Sequence, residues 1–342
     1  MKRIPPALFL FFLAPAIGEL LSGSAPPVEF FNPFMLLILP ALYGSGAVLA
    51  RELTLRWDKR WPTILALGLA YGIIEEGLMI KSFFDPNWMD LGILGTYGRL
   101  AGVNWVWSVS LTLYHATVSI AIPILLTEIL YADRRDEPWT SRRRLIGLSI
   151  LLAAVVIFGA LALAPYRPPF IPYLFAIIAT VGLYFLARRM PKRFKPPQPA
   201  PRLRPLWIGV IGFLSIIAYF IGGWALPELG IPPVLTIGFL IILALGVLRL
   251  LRWASGEGAW SDVGRLALAT GTLTFFILLA LLAESNADRA DNPAGMALVG
   301  LAAAVSLIAL NLRVRRRVRE EKRAASTTQP CFDVDAEDLN GV

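Results

Sequence analysis

The chain has 342 residues, 56% of them hydrophobic and 16% charged, with a formal net charge of +8. Globular domains carry about 25% charge. The deficit, a mean hydropathy of +0.64 and long apolar runs exclude an ordinary soluble domain and point to an all-α, polytopic transmembrane helix bundle. Cytoplasmic loops of such proteins collect Lys and Arg, so the positive balance calls for a lipid bilayer as partner and for no nucleic acid. The single cysteine, Cys331, leaves no room for an internal disulfide or a cysteine-based metal site.

In chain order, about ten runs have the roughly 17–25 residues that a span needs. The predicted spans are Pro5–Leu21, Pro33–Ala50, Pro62–Phe83, Trp105–Tyr131 and Leu145–Pro165, then Phe170–Leu186, Leu206–Leu226, Val234–Leu251, Leu266–Ala283 and Ala294–Leu312. Met1-Lys2-Arg3 before an apolar run is also how a signal peptide begins, but no A-x-A-like cleavage site comes after it. With both termini in the cytoplasm, all of the 32 basic residues except Lys81, Arg99, Arg167 and Arg289 fall on the cytoplasmic side. One span more or fewer would invert half the loops, so the positive-inside rule selects the even count and predicts a multi-pass protein of the plasma or inner membrane.

Composition divides the chain. Residues 1–187 form a predicted six-helix bundle that holds the intramembrane polar residues. Residues 188–205 are a Pro- and Lys/Arg-rich cytoplasmic linker. Residues 206–312 form a four-helix bundle, and 313–342 a tail that starts basic, at Arg313-Val314-Arg315-Arg316-Arg317, and ends polar and disordered. The basic loops and tail suit anionic lipid headgroups. The two halves differ in intramembrane polarity, which argues against an inverted-repeat transporter.

Two acids and the sole histidine lie inside spans, where an ionisable residue costs several kcal/mol unless it is paired, hydrated or used. In the third span, Gly68, Gly72 and Glu76 share one helical stripe, and Gly68-x-x-x-Gly72 is a small-residue packing face, so Glu76 points at a neighbouring helix. Tyr71 and Glu75 form a second i, i+4 pair. In the fourth span Asn104, Ser108, Thr112, His115 and Ser119 make a continuous polar stripe. At 1.5 Å per residue, Glu76 lies about 10 Å and His115 about 15 Å below the outer surface, so the acids and the imidazole can meet. Glu19 sits near the same level and joins Glu76 and His115 in a possible site for one divalent metal ion. Glu52 and Glu128 lie at the inner ends and are expected to pair with Arg51, Arg56 or the basic loops. The connection with Lys81, Asp85, Asn87 and Asp90, rich in Gly and Trp, is an aromatic belt or a lid. Lys81 can also snorkel back to neutralise Glu75 or Glu76.

Glu75-Glu76 and His115 resemble the CAAX-processing and bacteriocin-processing (CPBP, or Abi) family of intramembrane proteases. That family carries Glu-Glu-x-x-x-Arg on one helix, Phe-x-x-x-His on a later one, and a second histidine motif. The resemblance implies that one acid activates water and that His115 is the first histidine. This chain departs from the pattern: Ile80 stands at the Arg position with Lys81 next to it, Leu111 replaces Phe, and there is no second histidine. Three functions remain open on the residues: a membrane-embedded hydrolase with Glu75, Glu76 and His115 as catalytic groups; a proton- or cation-coupled transporter using them as a relay; and a scaffold in which they only tie helices together.

Overall fold

In the computed structural model, which describes residues 4–89, 91–192, 202–256, 260–285 and 291–327, the chain is built of helices joined by short connections. We number them α1 (Pro6–Leu21), α2 (Pro33–Arg56), α3 (Trp61–Met79), α4 (Trp105–Leu130), α5 (Arg142–Leu163), α6 (Phe170–Arg189), α7 (Pro205–Glu228), α8 (Pro233–Ala254), α9 (Asp262–Ala283) and α10 (Met296–Thr327). Among the described residues, nine are long and apolar enough to cross a membrane and α1 is a shorter apolar helix. Each predicted span has its helix, and the chain is a multi-pass membrane protein. The middle of the linker (residues 193–201), Asp90 and the tail with Cys331 lie outside the described residues.

The starts of the helices are written in side chains. Asn32, Asn104, Ser141 and Ser261 each accept a hydrogen bond from a backbone N–H in the first turn of the next helix, the ordinary way to satisfy a helix's orphan donors. Inside the helices several turns widen from α to π: Ala16–Leu21, Pro40–Gly44, Ile73–Met79, His115–Ala121, Gly159–Leu163 and Ile221–Ala225. Proline accounts for part of this. Pro15 and Pro40 stand at the entry to two of the turns and Pro123 just past the exit of a third. Each lacks an N–H and frees the carbonyl four residues back, and a wider turn re-pairs the backbone where no water is at hand.

The apolar interior is continuous across the linker. One cluster joins Ile17, Tyr114, Val118 and Leu126 of the first half to Leu266, Leu273, Phe276 and Val314 of the second. Helices α5, α6 and α8 turn outward a skin of exposed apolar residues, among them Ile150, Phe175, Phe185, Leu235 and Ile242, as a lipid-facing surface requires.

At one end of the bundle, α2, α4 and the connections beside them form a buried ionic cluster. Arg51 donates to Glu52 (2.6 Å) and to the Glu137 carbonyl (2.8 Å), stacks over Trp139 (3.6 Å to the ring centre) and stands 3.7 Å from Glu128. Glu52 also receives Arg56 (3.3 Å) and the Trp139 backbone N–H (2.9 Å). Glu52 and Glu128 therefore pair with Arg51 and Arg56, as their positions in the sequence predict. A second set ties the halves together: Arg135 and Arg317 both reach Asp262, each at 2.6 Å.

A candidate site of two carboxylates and an imidazole

At the opposite end, the last turn of α3 meets the middle of α4. What lets them meet is the absence of side chains at Gly68 and Gly72. A Cβ at Gly68 would fall 2.8 Å from the Ala116 Cα, and one at Gly72 would fall 3.1 Å from the Thr112 Cα and from the His115 Cβ. The helices touch backbone to backbone, the geometry that small residues allow inside a membrane. One turn further along the same stripe is Glu76. Its Oε1 lies 3.0 Å from His115 Nε2, and Glu75 Oε2 lies 3.3 Å from His115 Nδ1. Ligand atoms of Glu75, Glu76 and His115 all lie within 4.8 Å of one another, and all three residues are buried.

All three sit on π turns, and so does Tyr43, whose hydroxyl donates to Glu19 Oε1 from a further π turn. A π turn carries one extra residue, so it rotates the remainder of the helix and re-aims side chains toward an interior point. Around His115 stand three phenol rings, Tyr43 and Tyr71 at 6.0 Å and Tyr114 at 5.5 Å between centres.

The two acids differ in what they hold. Glu76 is engaged at both oxygens, Oε1 with His115 and Oε2 with the Ser82 hydroxyl, and Ser82 Oγ in turn accepts from Trp107 Nε1 at 3.0 Å. Glu75 Oε2 is buried without a hydrogen bond of good geometry, 3.3 Å from His115 Nδ1, and Glu75 draws otherwise on the hydroxyls of Tyr43 and Tyr71. A buried carboxylate oxygen without a close donor is costly, which makes Glu75 the more weakly held acid of the group.

The polar stripe of α4 divides by task. Ser119 Oγ is 3.1 Å from His115 Nδ1 and belongs to the group. Thr112 contributes backbone where Gly72 approaches. Ser108 spends its hydroxyl on the Asn104 carbonyl (2.6 Å), the i−4 bond that serine makes within its own helix. Asn104 caps α4 and donates to the Leu94 carbonyl (2.5 Å). The stripe read from spacing is real, but only its His115–Ser119 stretch reaches the acids.

Two expectations change. Glu19 is not among the clustered ligand atoms; its carboxylate is taken by Tyr43, which joins it to the group from one side. Lys81 does not neutralise either acid. Its ammonium donates to the carbonyls of Ala160 (2.5 Å) and Ala164 (2.7 Å) at the end of α5, groups a helix leaves without partners. Within the connection, Asp85 closes a local turn by accepting from the Asn87 N–H (2.9 Å).

The connection between α3 and α4 is a folded cap. It contains a two-stranded ribbon, β1 (Arg99–Leu100) and β2 (Val103–Asn104), and packs Phe83, Phe84, Leu91, Leu94, Val103 and Trp107 into a small core of its own. The second half touches it where Trp224 of α7 meets Trp107 edge-on, 6.2 Å between centres. Lys81 sits in the cap's first turn at φ +62°, the left-handed region. Lys81→Met removes its two charge-assisted bonds and is expected to cost about 1.5–3 kcal/mol. A melt in detergent with an unchanged midpoint would discard the role of Lys81 as the tie between α3 and α5.

Sequence reasoning missed Tyr43, Ser82 and Trp107 as members of the group. Tyr43 had a legible signal, a phenol beside the small-residue run Gly44-Ser45-Gly46 of an apolar span. The role of Ser82 depends on a chain reversal that no local pattern announces.

Comparison with known proteins places the chain. The model of a family described as an uncharacterized membrane protein family matches residues 8–328. The chain belongs to that family. No curated protein and no solved structure matches it. Membership of this family carries no reaction with it, and the CPBP resemblance continues to rest on Glu75, Glu76 and His115 alone.

Proposed function

We propose that the protein is a membrane-embedded hydrolase, protease-like in the sense of the CPBP resemblance, whose working groups are Glu75 and His115 with Glu76 behind them. The observation that carries this reading is the buried convergence of the three residues, with Glu75 Oε2 held more loosely than either oxygen of Glu76. A carboxylate in that condition is a general base awaiting a proton. Glu75 takes a proton from water, the water oxygen bonds to the substrate carbonyl carbon, and the bond to the leaving group breaks as that proton is delivered to it. His115 accepts a hydrogen bond from the attacking water and so orients it beside Glu75, and Glu76, held at both oxygens, keeps the imidazole in place.

The donor set also fits one divalent ion. Two carboxylates and an imidazole are an oxygen-and-nitrogen set suited to zinc and its neighbours, and the loosely held Glu75 oxygen is a ready ligand atom. Glu75 and His115 would hold the ion, with Glu76 orienting the ring. A bound divalent ion supplies Lewis acidity and a more acidic water. Glu19, on Tyr43, is a reserve carboxylate beside the group.

The test uses full-length protein in detergent or nanodiscs, a panel of peptide and phospholipid esters, and added zinc. Glu75→Gln and His115→Ala should each lower the rate by about 100- to 10,000-fold, the range of a lost acid–base group. Wild-type rates in both variants, on every substrate cleaved, would end the hydrolase reading.

A second reading has an observation of its own. Besides Tyr71, the buried hydroxyls of Ser45 and Thr54 on α2 lack hydrogen-bond partners, and α2 runs from Tyr43 at the site to Arg51 and Glu52 at the other end. Unpaired hydroxyls strung along one helix suit a proton or cation path. That reading requires pH-dependent flux in proteoliposomes, abolished in Glu75→Gln. At the far end of α10, Arg315, Arg316, Arg319 and Arg323 line a groove whose charge suits anionic lipid headgroups.

A further inference from the structure

Nitrogen and oxygen atoms around Glu76 form a chain whose direction is fixed at its start. The indole of Trp107 has one N–H and no acceptor. It lies 3.0 Å from Ser82 Oγ, so that oxygen must accept. The single hydroxyl proton of Ser82 is then free for the atom on its other side, Glu76 Oε2. With Glu76 ionised its oxygens only accept, so His115 Nε2, 3.0 Å from Oε1, is the donor. A neutral imidazole that donates from Nε2 accepts at Nδ1. Nδ1 faces Ser119 Oγ at 3.1 Å and Glu75 Oε2 at 3.3 Å.

The backbone is arranged to build this chain. The left-handed turn at Lys81 folds Ser82 back over the last turn of α3, where it is fully buried. The Asn104 N–H donates to the Phe83 carbonyl (2.8 Å), closing the cap so that the first turn of α4 brings Trp107 over Ser82.

We propose that Ser82 and Trp107 are positioning residues that, through Glu76, hold His115 as its Nε2–H tautomer and so present Nδ1, beside Glu75, to the ligand. This deepens the proposed function, since it rests on Glu75 and His115 being the working pair. It also assigns Glu76 a supporting role: the carboxylate behind the imidazole rather than the one that meets water or metal. The arrangement is the carboxylate–histidine pairing used wherever a ring nitrogen must be aimed. It accounts for the asymmetry between two adjacent acids, one bonded closely at both oxygens and one more loosely held.

The measurement is direct because the chain has one histidine. Full-length protein labelled with 15N-histidine gives one imidazole, and its two nitrogen resonances report which carries the proton. Wild type should show Nε2–H. Ser82→Ala and Trp107→Phe should show a mixture of tautomers with melting midpoints within a few degrees of wild type, and Ser82→Thr, which restores the hydroxyl, should return the single Nε2–H signature. Added zinc should move the Nδ1 resonance of wild type, and Ser82→Ala should bind zinc about 10- to 100-fold more weakly, the usual effect of losing a group behind a ligand. A wild-type ring protonated at Nδ1 overturns the proposal. So does a ring that stays purely Nε2–H in both Ser82→Ala and Trp107→Phe. Absence of any zinc effect on wild type counts against the metal reading alone, because the tautomer result decides the present proposal without metal.

Discussion

Arg51→Met should cost the folded protein about 3–5 kcal/mol, the penalty of removing one partner from a buried ion pair. The side chain is almost wholly enclosed and its neighbours depend on it. Glu52 and Glu128 lose their shared cation, the Arg135 and Glu137 carbonyls lose donors, and Trp139 loses the guanidinium on its face. Methionine fills most of the volume and replaces none of these. The loss is read from unfolding in mixed detergent, with the Glu52→Gln/Arg51→Met double variant recovering part of it, since neutralising Glu52 removes one stranded charge. A loss under about 1 kcal/mol would place this cluster with surface ion pairs and would remove it as the tie holding that end of the bundle.

The second large effect concerns the site. Gly68→Leu drives a side chain into the Ala116 backbone, 2.8 Å from where its Cβ must stand, and backbone cannot step aside. α3 and α4 then have to separate. Overpacking of this kind costs about 1–3 kcal/mol, but the larger consequence is positional. Glu76 leaves His115, and a displacement of about 1 Å at a reacting centre is worth on the order of 100-fold in rate. Gly182→Leu is the control, because a Cβ there meets nothing within 4 Å. The expectation is that Gly68→Leu loses zinc binding and hydrolysis while Gly182→Leu keeps both. Equal behaviour of the two variants would mean that the helix contact does not set the site.

The two effects describe one molecule with a division of labour along its axis. At the Arg51 end the buried charges are paired, carbonyls are capped, and Asp262 with Arg135 and Arg317 locks the two halves together. The Thr54 hydroxyl is the exception there. At the His115 end Glu75 Oε2 and the hydroxyls of Tyr71 and Ser45 lack hydrogen bonds of good geometry. Buried polar groups are almost always satisfied. Exceptions gathered toward one end, on helices widened by π turns, mark the end at which we propose the working site.

Much of this was legible from residues alone. The spans and the multi-pass class follow from the bilayer's thickness, which imposes a run length that local hydropathy reports, whereas the helices outrun the apolar stretches, α2 to Arg56 and α10 to Thr327. The Gly68/Gly72/Glu76 stripe and the His115–Ser119 stripe follow from helical period, and the near-equal depth of Glu76 and His115 follows from rise per residue. What period and depth leave undetermined is rotation and partner choice. They do not say that α1 gives Glu19 to Tyr43, that Lys81 reaches α5 rather than the acids, or that Ser82 turns back onto Glu76. Those outcomes hang on π turns and on one left-handed residue, features of the backbone that shift a side chain by a large fraction of a turn and that regular periodicity cannot encode. Run length and period are enough to bring two acids and a histidine into the membrane at one level. Which acid is bound at both oxygens, and which is held more loosely, depends on contacts among α3, α4 and the cap. Those groups are far apart in the chain and become neighbours only once it has folded.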